Sequence, residues 1–151
     1  MPGLLPNRLP RARGFFTTPP TLTNSSNIPL KFDTNQYDTQ NIHVVGDSKF
    51  VAKVNGLFFA FSGIAFAGQS PTPAGVRGVG VAIDGNINNS DFGTLVEAKT
   101  TNFLEPLASG MIVLNVGQYV EFVAFQSSGG DLALLGGFGA LICMQNFGVL
   151  T

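Results

Sequence analysis

The sequence predicts an all-β domain, a jelly-roll sandwich of about eight to ten antiparallel strands with an extended N-terminal arm. Nineteen glycines and fourteen phenylalanines among 151 residues favour short strands and tight turns over helices. Short apolar runs recur between turn signals such as Asn55-Gly56 and Asp84-Gly85. None of the runs has the 3.6-residue apolar period of a helix. Short strands at this spacing are typical of a sandwich or jelly roll.

The composition indicates a protein that associates with other proteins. Hydrophobic residues make up 44% of the chain and charged residues only 11%, against roughly 25% charged in an average soluble protein. The net charge of −1 provides no basic field for nucleic acid. No apolar run reaches the roughly 18 residues of a membrane helix, and prolines and arginines interrupt the N-terminus where a signal peptide is apolar. We expect cytoplasmic synthesis and neither a membrane nor a nucleic-acid partner.

Residues 1–27 differ from the rest, and we predict an extended arm there, followed by a domain at residues 28–151. Five of the nine prolines lie in this segment and favour extended backbone. The segment has three arginines and no acidic residue, whereas the remainder holds all nine acids and five basic residues. A basic arm on an acidic body predicts contact with a neighbour's acidic surface. The residues expected to make this contact are Leu4, Leu5, Arg8, Arg11, Arg13, Phe15 and Phe16.

From residue 28 the pattern becomes that of strands separated by turns. Residues 33–41 are polar and rich in turn formers, so we predict a loop there. Residues 127–131 are predicted to form another loop for the same reason. The predicted strands are at residues 28–32, 42–45, 50–54, 56–68, 76–83, 95–101, 111–116, 119–126 and 140–144.

Residues 56–68 are predicted to form a strand with two apolar faces. With a period of two, Leu57, Phe59 and Phe61 lie on one face. Phe58 and Phe66 lie on the other face if the pleat continues through the glycine at position 63. One face can fill the core of a sandwich, and another copy of the chain is the expected cover for the second. The sequence leaves open which face is which.

The order of these signals resembles the complement globular-head family. After Phe32 and Tyr37, the run Lys49-Phe50-Val-Ala-Lys-Val-Asn-Gly56-Leu-Phe-Phe-Ala-Phe61 is similar to that family's aromatic run. Residues 108–122 resemble its later hairpin, with Gln118 where Asp is usual. Residues 138–142 resemble its closing Phe-x-Gly-x-Leu strand, without the second glycine in place. The resemblance covers residues 28–148.

This resemblance implies a ten-strand jelly roll of the tumour-necrosis-factor type that assembles as a tight homotrimer. It carries over no complement or cytokine role, because the collagen-like stalk, the disulfide set and the secretion signal are missing from the sequence. The trimer would bury aromatic residues of the inner strands, which suits residues 56–68 and the similarly apolar 119–126. The predicted trimer interface comprises Phe58, Phe59, Phe61, Phe66, Tyr119, Phe122 and Phe125.

The sequence holds no motif that indicates catalysis, so we expect no enzyme, no cofactor and no metal. His43 is the only histidine, and Cys143 lies in an apolar run where cysteine acts as a small hydrophobe. Asp84, Asn86 and Asn88 alternate as calcium ligands do. The calcium-loop motif fails at its glycine and glutamate positions, so we favour turn geometry for residues 84–91.

These features together predict a structural protein of the virus particle. The whole chain looks like a capsid decoration, or cement, protein of a tailed bacteriophage. Such a trimer would lie on the capsid exterior and staple neighbouring capsid subunits, with the major capsid protein or another virion protein as its partner. The alternative is a trimeric receptor-binding or fibre-tip module that recognises a saccharide or a protein through its loops. A small-molecule enzyme or a sugar-binding jelly roll is the third possibility, which the missing histidine cluster disfavours.

Overall fold

The computed structural model describes residues 9–68, 75–87, 93–97, 106–135 and 139–144. These residues form an all-β jelly-roll sandwich without a helix, which confirms the predicted fold class. The strands are β1 (Arg11–Phe15), β2 (Thr21–Leu22), β3 (Ser26–Pro29), β4 (Thr34–Asp38), β5 (Lys49–Val51), β6 (Gly56–Gly63), β7 (Ala65–Phe66), β8 (Val76–Ile83), β9 (Thr94–Glu97), β10 (Leu107–Leu114), β11 (Tyr119–Gln126), β12 (Leu132–Leu135) and β13 (Gly139–Met144).

Two sheets form the sandwich, and their strand pairs are antiparallel. The first sheet has the order β10-β6-β13-β1-β4. The second sheet has the order β3-β11-β8-β9, and β5 also pairs with β11. A small sheet of order β2-β12-β7 accompanies them. Many neighbouring strands are far apart in sequence, so these pairings are long-range contacts that close the jelly roll. Within the described part of the chain, no helix has the length and apolar character needed to cross a membrane.

Phe32 lies at the centre of the core between the sheets. Its ring is fully buried and stacks on Phe16, with 4.7 Å between the ring centroids. Phe50 and Phe122 meet Phe32 edge to face, at 5.9 and 6.4 Å. Gly14 lies directly over this ring, because a Cβ at position 14 would come within 2.9 Å of the Phe32 Cβ. An aromatic cluster therefore joins the N-terminal segment to the second sheet.

The structure corrects the predicted arm for its described residues. Arg11–Phe15 is strand β1, which pairs with β13 on one side and with β4 on the other. Further along, Leu22 is fully buried in the core. The extended backbone that prolines favour is used here for sheet pairing, so residues 9–27 belong to the domain. Residues 1–8 lie outside the described residues.

Two local predictions between the arm and β5 are wrong. Residues 34–38 form strand β4 and not a loop, because edge pairing with β1 provides the backbone hydrogen bonds and leaves the polar side chains accessible to water. Residues 42–45 form a loop, with only an isolated bridge from His43 to Phe50. The carboxylate of Asp38 shapes this loop by accepting hydrogen bonds from the backbone N–H groups of Gln40, Ile42 and His43.

The C-terminal half follows the predicted order with one addition. Leu132–Leu135 forms β12, a strand absent from the predicted set, which pairs with β2 and β7. Leu132 and Leu134 are buried, while Ala133 and Leu135 are exposed. This alternation over only four residues was too short to separate from the loop before it. Residues 98–101 of the predicted strand 95–101 lie outside the described residues.

Asp33 fastens the connection after β1 to the start of β4. Its Oδ1 and Oδ2 accept hydrogen bonds of 2.7 Å from the backbone N–H groups of Thr17 and Thr18, and the hydroxyl of Thr34 donates to Oδ1 at 3.0 Å. Desolvation by burial raises the pKa of Asp33, but the hydrogen bonds outweigh it and lower that pKa below its ordinary value of 3.8. A carboxylate with a lowered pKa stabilises the fold above pH 3.8, and this contribution is lost as pH falls through the folded-state pKa.

We therefore expect Asp33→Asn to lower the free energy of unfolding by about 1–2 kcal/mol at neutral pH, because the amide can accept with one atom only. The difference from the wild type should shrink as pH falls below 3.8, as measured by urea unfolding across acid pH. Asp131→Asn, at an exposed position, is the control and should change little. A difference that stays constant at every pH would contradict this role of the carboxylate.

Candidate subunit interface

The outward side of the first sheet carries a continuous apolar surface built by β6 and β10. The register pairs Leu57 with Val113, Phe59 with Met111, and Phe61 with Ser109. Side chains of directly paired residues lie on the same side of a sheet. We define the apolar face as the side chains of Leu57, Phe59, Phe61, Leu107, Met111 and Val113.

Burial shows that this face points away from the core. Val113 is 65% exposed, Leu107 49% and Met111 41%, whereas the alternating residues Ile112 and Leu114 are buried. The three β6 members of the face are half-buried by their neighbours on the sheet. None of the six side chains carries a charge. Large contiguous apolar patches of this kind mark surfaces that other molecules cover.

The structure separates the predicted interface residues into three groups. Phe58, Phe66 and Phe122 are at most 1% exposed and belong to the core within one chain. Their assignment to a trimer interface is wrong, because no atom of a second copy could reach them. Phe59 and Phe61 are on the apolar face, so theirs is the side of β6 that a second copy could reach.

Tyr119 and Phe125 lie on the other sheet. Both belong to β11, and their alternating neighbours Val120 and Ala124 point into the core. Tyr119 packs with the Lys49 ammonium, whose Nζ is 4.7 Å from the ring centroid. The outward sides of two packed sheets point in opposite directions, so these residues lie on the opposite side of the sandwich from Phe59 and Phe61.

The predicted arm contacts also fall into two groups, apart from Leu4, Leu5 and Arg8, which lie outside the described residues. Phe16 is a core residue and Phe15 is half-buried, so neither is free to act as an anchor on another protein. Arg11 and Arg13 are exposed on β1. The Arg11 guanidinium lies 5.4 Å from the centroid of the Tyr37 ring, and Arg13 Nη1 donates to Gln36 Oε1 at 2.7 Å. The strand pairing places both arginines beside β13, on the margin of the apolar face.

His43 is part of the core around Phe50. It is 4% exposed and stacks on the Phe50 ring at 4.4 Å between centroids. Its Nδ1 lies 2.6 Å from Asn35 Oδ1, and its Nε2 lies 2.9 Å from the carbonyl oxygen of Asp47. Both ring nitrogens are thus engaged in hydrogen bonds that hold the loop of residues 42–47, which gives this histidine a structural role.

Asp84 forms the turn after β8 and joins it to β11. Asp84 and Gly85 have positive φ angles of 51° and 76°, a geometry that Asp and Gly tolerate. Asp84 Oδ1 accepts from the Tyr119 backbone N–H at 3.0 Å, and Oδ2 accepts from Gln118 Nε2 at 2.7 Å. Both carboxylate oxygens of Asp84 are therefore used in hydrogen bonds that join this turn to β11. Within the described ranges, no group of three or more His, Cys, Asp or Glu could hold a metal.

Sequence reasoning missed the β10 half of the apolar face. Leu107, Met111 and Val113 alternate with Ala108, Ile112 and Leu114, so both sides of this strand are largely apolar. That pattern was present in the sequence. The register with β6 was not, and only the register brings the two strands' outward residues together.

No protein-family model matches this chain, and no curated protein sequence does. Solved structures share its fold. The globular domain of zebrafish complement 1qA protein superposes with a TM-score of 0.67 at 13% identity, covering 91% of this chain and 98% of that one. Murine APRIL at pH 8.5 gives a TM-score of 0.66 at 10% identity, covering 91% of this chain and all of that one. These similarities establish the jelly-roll fold of the complement and tumour-necrosis-factor type.

Proposed function

We propose that this chain is a non-enzymatic structural protein that assembles as a homotrimer through the apolar face. The observation that carries the proposal is the uncharged surface of β6 and β10, on which Val113 is 65% exposed in a single chain. Removing apolar area from water favours association by about 25 cal/mol per Å², and the entropic cost of association is subtracted from this gain. The likeness to complement and tumour-necrosis-factor jelly rolls in both sequence pattern and fold supports a threefold arrangement.

Self-association accounts for the composition as well. Only 11% of the residues are charged, so electrostatic repulsion between copies of the chain is weak and does little to oppose their association. In a closed threefold ring, the same side chains meet at each subunit boundary, and no apolar edge is left to recruit further copies. Arg11 and Arg13, at the margin of the face, would remain near the rim, where charged groups keep their water.

We further propose that the trimer decorates the exterior of a virus capsid, as cement proteins of tailed bacteriophages do. The low charge, the two-sided apolar strands and the basic, acid-free segment of residues 1–27 support this role. Because β1 is part of the domain, the attachment is assigned to residues 1–8, with Leu4, Leu5 and Arg8 as the contacts to a capsid protein.

The test separates assembly from attachment. We expect the purified chain to sediment as a trimer and to co-sediment with virus particles from the cells that produce it. Leu4→Ser combined with Leu5→Ser should leave the trimer intact and reduce particle binding, because residues 1–8 precede β1 in the chain. Thr23→Ser, a change at an exposed residue within the domain, is the control.

A wild-type monomer would contradict the proposed assembly. A trimer that does not bind virus particles would contradict only the capsid role, and would favour a receptor-binding module instead. Full particle binding by the double variant would contradict the attachment through residues 1–8.

A further inference from the structure

The outward side of the second sheet contains a groove, on the opposite side of the sandwich from the apolar face. Its volume is about 530 Å³, within the range of roughly 300–1,000 Å³ that is usual for sites of small ligands. Gly78 and Gly80 of β8 form the floor. Val123 and Phe125 of β11 form one wall, and Leu95 of β9 stands on the other side.

The register explains how the groove arises. One row across the sheet runs through Asn27, Phe125, Gly78 and Leu95, which are paired in succession. In the next row, Gly80 pairs with Val123. Glycines in both rows leave no β8 side chain between β11 and β9. The Leu95 side chain lies over Gly78, so the open part of the β8 backbone is at Gly80.

Gly78 and Gly93 have packing reasons to be glycine. A Cβ at Gly78 would clash with Leu95 Cδ2 and would come within 2.9 Å of the Thr94 carbonyl oxygen. A Cβ at Gly93 would meet the Val79 carbonyl oxygen at 3.0 Å and the Gly80 Cα at 3.2 Å. In both cases, the close approach of β9 to β8 excludes a side chain.

Gly80 has no such reason. A Cβ at this position would meet no atom of the described residues within 4 Å, and its φ lies outside the positive range. Glycine in the middle of a strand costs stability relative to residues with side chains. A glycine inside a strand marks a bulge, a bend, or a place where a ligand or another backbone approaches closely. The open space over Gly80 in this groove favours the ligand.

The lining determines the chemistry of that ligand. No charged side chain borders the groove among the described residues, and its walls are an aromatic ring and aliphatic groups. The polar side chains at the site are Asn27 and Thr94, at opposite edges. A flat floor of peptide groups beside the Phe125 ring suits a planar or cyclic molecule, and one amide at the rim suits one hydrogen-bonding substituent.

We propose that the groove over Gly80 is a binding site for a small uncharged cyclic ligand, with its ring between Phe125 and Leu95 and one polar substituent at Asn27. A charged ligand would lose its hydration here without gaining a charged partner among the described residues. All of the lining residues belong to one chain, so the groove is complete without the proposed trimer.

The experiment is a titration of the isotopically labelled full chain with p-cresol, followed through backbone amide shifts. We expect saturable shifts centred on Gly78, Gly80 and Phe125, with a Kd of about 1 mM, as is usual for so small a probe. The anion p-toluate and the cation 4-methylbenzylamine have the same ring and should bind at least about tenfold more weakly.

Gly80→Leu is the decisive variant, because its side chain has room in the strand and fills the groove. We expect it to fold and to lose p-cresol binding by about tenfold or more. Gly130→Leu is the matched control, since a Cβ at Gly130 also meets no described atom within 4 Å, and it should bind as the wild type does. Shifts centred on β6 and β10, equal binding of the charged probes, or undiminished binding by Gly80→Leu would each overturn the proposal.

Discussion

Val113→Asp is expected to convert the proposed trimer into a folded monomer. Val113 is 65% exposed in a single chain, so an aspartate there stays hydrated and costs the fold little. In the trimer, the same carboxylate would be buried against apolar side chains without a partner, and each unpaired buried charge costs several kcal/mol. Three copies of the change would act on one assembly. Sedimentation velocity measures the loss of the trimer, and circular dichroism measures the retained fold.

Val44→Asp is the matched control. Val44 is 69% exposed but lies in the loop after His43, away from the apolar face. The same substitution there should leave the trimer unchanged. A Val113→Asp variant that still sediments as a trimer would show that the apolar face is not the subunit interface. Phe59→Asp is less informative, because Phe59 is half-buried within its own chain and its loss also affects the fold.

Phe32→Ala is expected to lower the free energy of unfolding by about 3–5 kcal/mol, the range for a buried phenylalanine. Phe32 is fully buried and its ring meets the rings of Phe16, His43, Phe50 and Phe122. Its removal leaves a cavity at the contact between the N-terminal segment and the second sheet. Gly14 has no side chain to fill that cavity. Urea unfolding at one fixed protein concentration measures the effect, since assembly adds to apparent stability.

Tyr37→Ala serves as the control for the loss of an aromatic ring. Tyr37 is 36% exposed, and its ring interacts with the Arg11 guanidinium at the edge of the sheet. An exposed cation–π contact contributes about 0.5–1 kcal/mol. If both variants lost the same free energy, the assignment of Phe32 to the centre of the core would be wrong.

Much of the fold was accessible from the sequence, because strand alternation is a local property. Residues 56–68 were predicted as one strand with two apolar sides. The structure ends that strand at Gly63 and places Ala65–Phe66 in a different sheet, and the burial pattern of β6 shows the predicted alternation. The Asp84-Gly85 turn was predicted from residues that tolerate positive φ, and both adopt it. By contrast, Thr34–Asp38 became a strand through its pairing with β1, which a polar sequence does not signal.

For the candidate site, too, local patterns were readable from the sequence and the pairing of distant strands was not. By itself, the sequence determined that this chain is all-β, low in charge, and apolar on more strand sides than one core can bury. Only the tertiary structure decided that Phe58 faces inward and Phe59 outward, and that Arg11–Phe15 is a strand of the domain. The physical reason is that these outcomes depend on register between distant strands, such as β1 with β13 and β6 with β10. Backbone pairing over such separations is not encoded in any local pattern of residues.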